Sequence, residues 1–74
     1  MNIDLDNVEF DRSDLDTLHD VIFSALKKSD LTDEQIIEYW KKFPDDIRLD
    51  AVRWGVSDTP TRENMYVWLQ KNCS

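Results

Sequence analysis

Apolar residues recur at helical spacing through most of this chain. At 100° per residue, Leu15, Leu18, Val21, Ile22, Ala25 and Leu26 form one continuous arc, edged by Phe23, while Asp16, Asp20 and Ser24 fall opposite. With Ser13 as N-cap, Asp14 and Asp16 in the first turn and Lys27 and Lys28 in the last, this predicts a helix over about 14–28. A second helix over about 33–43 carries the clearest local signature. Thr32 and Gln35 make a capping box, and Leu31 and Ile36 make a hydrophobic staple. Ile36, Ile37, Tyr39, Trp40 and Phe43 share its apolar face.

Pro44 stops that helix and suits the opening of a third over about 45–54, with Asp45 and Asp46 at its start and Gly55 just past its end. This third segment is apolar on two sides: Ile47, Ala51 and Trp54 on one, Leu49 and Val52 on the other. Such a helix is either packed on two faces or presents an interaction patch. A fourth helix over about 60–71 opens near Thr59 and Pro60 and turns Met65, Trp68 and Leu69 inward. The first ten residues alternate loosely (Ile3, Leu5, then Val8, Phe10) and have no partner strand, which predicts an extended arm docking through Phe10.

The expected fold is therefore all-α: a compact bundle of four short helices over residues 13–74, preceded by an acidic arm over 1–12. The predicted core is Leu15, Leu18, Ile22, Leu26, Ile36, Trp40, Phe43, Ile47, Ala51, Trp54, Met65, Trp68 and Leu69. At 74 residues the chain is one domain, of a size whose core yields only ~3–5 kcal/mol without staples. One cysteine and one histidine make neither an internal disulfide nor a four-ligand zinc site, so packing must stabilise it, or association with a second copy.

Charge changes the picture. Of the first 20 residues, 7 are carboxylates (Asp4, Asp6, Glu9, Asp11, Asp14, Asp16, Asp20), opposed only by Arg12, in a chain of net charge −7. Net charge governs association rather than topology, so this end is expected to meet a basic protein surface. Asp14, Asp16 and Asp20 have places in the first helix, whereas Asp4, Asp6, Glu9 and Asp11 have no evident local role. The expected partner-binding surface is Asp4, Asp6, Glu9, Asp11, Asp16 and Asp20, with an apolar interface at Leu49, Val52 or Tyr66 that could seat a homodimer. At its sharpest, such a surface imitates nucleic-acid phosphates.

Chemistry beyond binding is not expected. His19 sits at the edge of the first helix's apolar arc with no nucleophile tied to it, and Cys73 is a tail thiol. The acidic pair Asp4 and Asp6 lacks the glycine of a calcium loop. No catalytic residue, metal, cofactor or small-molecule substrate is expected. The acidic N-terminus lacks the character of a secretory leader, no apolar run spans a bilayer, and a lone thiol suits the cytoplasm. In size, acidity and lack of catalytic residues the chain resembles the small accessory or inhibitory proteins that bacteria and phages encode.

One stretch supports an alternative. DAVRWGVSDTPTRENMYVWL resembles the helix-turn-helix motif in its centre, with Ala51, Gly55 and Val56 before a polar turn and a helix. The resemblance covers about twenty residues of the segment 47–71 and implies DNA binding. Thr61, Arg62 and Asn64 would then lie near bases, and Arg48, Arg53 and Lys71 near phosphates. Asp50, Thr61 and Asn64 depart from the motif's apolar positions, and a chain at −7 is repelled by DNA unless its bases are segregated.

Overall fold

The computed structural model describes residues 4–73 and contains four α-helices: α1 (Arg12–Leu26), α2 (Asp33–Lys42), α3 (Asp45–Trp54) and α4 (Thr59–Asn72). A 3-10 turn, Leu5–Asn7, precedes them, and no strand occurs among the described residues. Residues 1–3 of the predicted arm lie outside the described region. The all-α bundle is as the hydrophobic pattern predicts.

Three of the helix starts have local causes. Asp11, not Ser13, caps α1, its side chain accepting from Asp14 N at 2.8 Å, so α1 begins two residues earlier than expected. The Thr32–Gln35 capping box forms in both directions. Asp58 caps α4 by accepting from Thr61 N, and Pro60 follows in the first turn. The C-terminus of α1 also differs from expectation. Lys27 adopts φ 60°, ψ 33° and donates its N–H to Phe23 O, so Lys27 and Lys28 leave the helix rather than close it. No glycine is available there, and lysine takes the left-handed position.

The largest packed interface joins α1 to α4, with α3 against α4 and α2 against α1 completing the bundle. Leu18, Val21, Ile22 and Ala25 of α1 meet Met65 and Leu69 of α4, Ile36, Trp40 and Phe43 from the α2 side, and Ala51 and Val56 in one buried cluster. Burying each large aliphatic side chain contributes about 1.5–3 kcal/mol before conformational entropy is counted. Leu15, Leu26, Ile47 and Trp68 are only partly buried and edge this cluster.

Trp54 is not a core residue: it is 65% exposed. Gly55 turns the chain immediately after it with φ 101°, ψ 147°, and Val56, 3% exposed, joins the buried cluster. Thr61 is buried instead, its hydroxyl donating to Asp58 Oδ2 at 3.2 Å.

The N-terminal segment docks through Phe10 as expected, but Leu5–Asn7 forms a 3-10 turn instead of extended chain. Trp40, 1% exposed, donates its indole N–H to Leu5 O at 2.6 Å and meets Phe10 edge-on at 4.9 Å. Asp6 pairs with Arg48 at 2.6 Å. The 3-10 turn thereby lies against both α2 and α3.

Two stability outcomes follow. Trp40→Phe removes the indole donor and part of a buried ring system, and is expected to lower unfolding free energy in urea by about 2–4 kcal/mol. Gly55→Ala meets no atom within 4 Å of the added Cβ, so its cost is backbone strain alone, about 1–3 kcal/mol in the same measurement.

Candidate functional site

The acidic residues singled out from the sequence are exposed, but most hold local positions. Asp4 caps the 3-10 turn, accepting from Asp6 N at 3.2 Å and Asn7 Nδ2 at 2.6 Å. Asp6 holds Arg48, and Asp11 caps α1. The absence of local roles for Asp4, Asp6 and Asp11 is thus corrected: capping and pairing bonds account for all three. Asp16 accepts from Arg12 Nε at 3.1 Å, and Asp20 lies 3.8 Å from Arg62 on α4. Glu9 is the member of the set that makes no side-chain hydrogen bond or ion pair among the described residues. In Asp14, burial and then neighbouring Asp11 raise the carboxyl pKa above its ordinary value.

Arg48 is the most enclosed cation of the site. Its side chain is 11% exposed, with Nη1 on Asp6 and Nη2 on Asp45, each at 2.6 Å, while Nε is buried with no hydrogen-bond partner among the described residues. Burial works against its charge, and the bonds to Asp6 and Asp45 more than offset it, leaving the guanidinium pKa raised. Fixed in this way, Arg48 is not available to a phosphate, and the DNA-contact expectation for it is corrected. Thr61 is corrected likewise, because at 2% exposure its side chain cannot reach a base edge. Arg53, Arg62, Asn64 and Lys71 are exposed on α3 and α4.

A second electrostatic cluster ties α1 to α2, and sequence reasoning missed it because its members are distant in the chain. Arg12 donates to both oxygens of Asp33 at 2.9 Å, and His19 Nε2 lies 3.0 Å from Asp33 Oδ1. His19 is therefore engaged with a carboxylate on the bundle's edge. It borders a broad concavity of about 850 Å³ that Arg12, Asp16, Asp20, Phe23 and Lys28 also line.

The expected apolar interface divides. Leu49 and Val52 are exposed at 39% and 41%, and Val52 lines a small groove of about 230 Å³ with Val8, Phe10 and Trp40. Tyr66 instead lines a groove of about 370 Å³ between α1 and α4, with Val21, Arg62 and Val67. No group of three or more His, Cys, Asp or Glu side chains among the described residues could hold a metal ion. No described helix is long and apolar enough to cross a membrane.

Asp33 makes the site's pH dependence testable. Hydrogen bonds from Arg12 and then His19 hold its carboxyl at about 2, below its ordinary 3.8. A depressed folded value stabilises the fold above the unfolded pKa, and that contribution fades as pH falls from about 4 toward 2. A carboxyl-detected NMR titration is expected to find the Asp33 carboxyl well below its ordinary value of 3.8. Asp33→Asn should flatten the acid limb of stability over that window.

No protein-family profile matches the chain, and comparison with curated proteins and with solved structures yields no match.

Proposed function

We propose that this protein is a small non-enzymatic interaction module whose acidic N-terminal face binds a basic protein surface. One observation carries the reading: the carboxylates are exposed, yet the segment bearing them is tied to the bundle through Trp40 and Arg48. A free acidic tail would lose chain entropy on binding, whereas a docked one presents its charges already arranged. Imitation of nucleic-acid phosphates by these carboxylates is the sharpest form of the same reading. Binding of this kind inhibits or recruits by occupying a cationic groove. Exposed Leu49 and Val52 supply an apolar contact beside the charged one, for a partner or for a second copy. The free Cys73 accords with a reducing, cytoplasmic setting.

The test uses an oligolysine peptide as the cationic probe, followed by NMR on the full chain at low salt. Shift changes are expected to centre on Glu9, Asp11, Asp16 and Asp20 and to fade as salt rises. Asp16→Lys with Asp20→Lys should weaken the affinity by about tenfold or more while leaving far-UV circular dichroism unchanged. Binding that survives the double reversal removes the acidic face from the mechanism. Salt-sensitive binding of duplex DNA that is lost on Arg62→Ala would replace the proposal with a nucleic-acid function.

A further inference from the structure

The two ends of α1 differ in charge, although Asp16 and Asp20 line the same concavity as Lys28. Asp11 caps the start of α1, and Lys27 follows its end, so the two stand about 24 Å apart along the helix. Helix α2 repeats the polarity, with Asp33 and Glu34 in its first turn and Lys41 and Lys42 in its last. The contacts between the two helices align these polarities. Arg12 and His19 of α1 reach Asp33 at the start of α2, whereas Lys28 after α1 reaches Tyr39 in its later half.

The basic ends converge on one aromatic ring. Lys28 Nζ donates to Tyr39 Oη at 3.1 Å, and Lys42 Nζ lies 5.0 Å from the Tyr39 ring centroid. Lys27 Nζ stands 5.9 Å from the exposed Phe23 ring. Lys42 has Glu38 one turn behind it, at a spacing that commonly pairs, yet its ammonium is turned toward Tyr39. Among the described residues none of Lys27, Lys28, Lys41 and Lys42 forms an ion pair, although Arg12, Arg48 and Arg62 each engage a carboxylate. An uncompensated cationic–aromatic patch therefore sits on a chain of net charge −7.

We infer that this patch receives the acidic N-terminal face of a second copy, giving a head-to-tail contact. The inference rests on the acidic face being an interaction surface and adds the lysine–tyrosine patch as a surface that it meets. Charge complementarity selects this occupant, because the chain itself carries both halves of the contact. Net repulsion does not prevent it. The Debye length is about 8 Å at physiological ionic strength, so Asp11 and the segment before it, about 24 Å along α1 from Lys27, are screened from the patch of their own copy while charges across the contact attract. The contact is heterologous, so association closes into a ring where the rotation allows and otherwise continues with concentration.

Sedimentation equilibrium on the full chain at low and high salt tests it. At low salt the weight-average mass is expected to rise with concentration toward and past about twice the monomer mass, and to return to monomer in high salt. Lys28→Glu with Lys42→Glu, and separately Glu9→Lys with Asp16→Lys, should each abolish the rise with unchanged far-UV circular dichroism. An equimolar mixture of the two variants should restore association, because each then offers the charge the other lacks. A monomer throughout the low-salt series overturns the inference. So does salt-insensitive association lost on Leu49→Ser and Val52→Ser, which assigns self-contact to the apolar face. Inorganic phosphate or a short oligonucleotide shifting Lys28 and Lys42 resonances in a monomeric protein also overturns it, assigning the patch to a phosphate ligand. A monomer that still binds oligolysine sinks this inference and leaves the acidic face standing.

Discussion

The burial of Trp40 constrains the whole N-terminal half of the molecule. Its ring fills the core between α2 and the segment before α1, and meets Phe10 and Phe43 edge-on. An indole N–H in that position needs an acceptor, since leaving one unsatisfied costs about 1–3 kcal/mol. The acceptor is the Leu5 carbonyl, which can reach it only if the preceding chain turns back over α2. The 3-10 turn, the Asp4 cap that shapes it and the Asp6–Arg48 pair all belong to that arrangement. A local hydrogen-bond requirement in the core thus sets where the acidic surface lies.

The rest of the fold needs little beyond a contiguous apolar cluster, and the bonds around its rim set its register. Arg12 gives Asp33 a two-pronged clamp with His19 alongside, joining α1 to α2 where the intervening segment 27–32 contributes no helix. These groups are exposed, so the clamp specifies alignment more than it adds stability. The aromatic sequence Phe10, Trp40, Phe43 and Trp68 extends the core from the docked segment to α4 through successive edge contacts.

What was legible in the sequence was local. The Thr32–Gln35 box and the Gly55 turn are decided within a few residues, and each appears where its residue types require. Choices between equal local options were not legible. Asp11 and Ser13 are both good caps, and starting α1 at Arg12 accompanies the reach of that side chain to distant Asp33. Trp54 was misread because helical periodicity groups it with Ile47 and Ala51, whereas at the last position of α3 it is exposed and Val56, beyond Gly55, is buried. Thr61 was hidden by its polarity: its hydroxyl is satisfied by Asp58, which makes burial inexpensive. For the acidic surface, charge and docking through Phe10 were legible, but the Trp40–Leu5 hydrogen bond was not, because its partners are 35 residues apart.

That attachment bears on how a surface carboxylate can serve two purposes. A capping aspartate spends its acceptor capacity on a backbone N–H but keeps its full negative charge, and an ionised carboxylate has lone pairs to spare. Asp4 and Asp11 remain exposed while held by their caps, so their orientation is decided before any partner arrives. Asp6 differs, since Arg48 neutralises part of its field, and Asp16 is similarly shared with Arg12. Among the described residues Glu9 has neither restraint nor compensation. In the proposed interaction, attraction by this face weighs toward Glu9 and the capping aspartates, while Asp6 acts chiefly by holding the N-terminal segment in place. Structural and recognition roles are in this sense not alternatives: the caps that shape the N-terminal segment are also what turns its charge into a defined pattern.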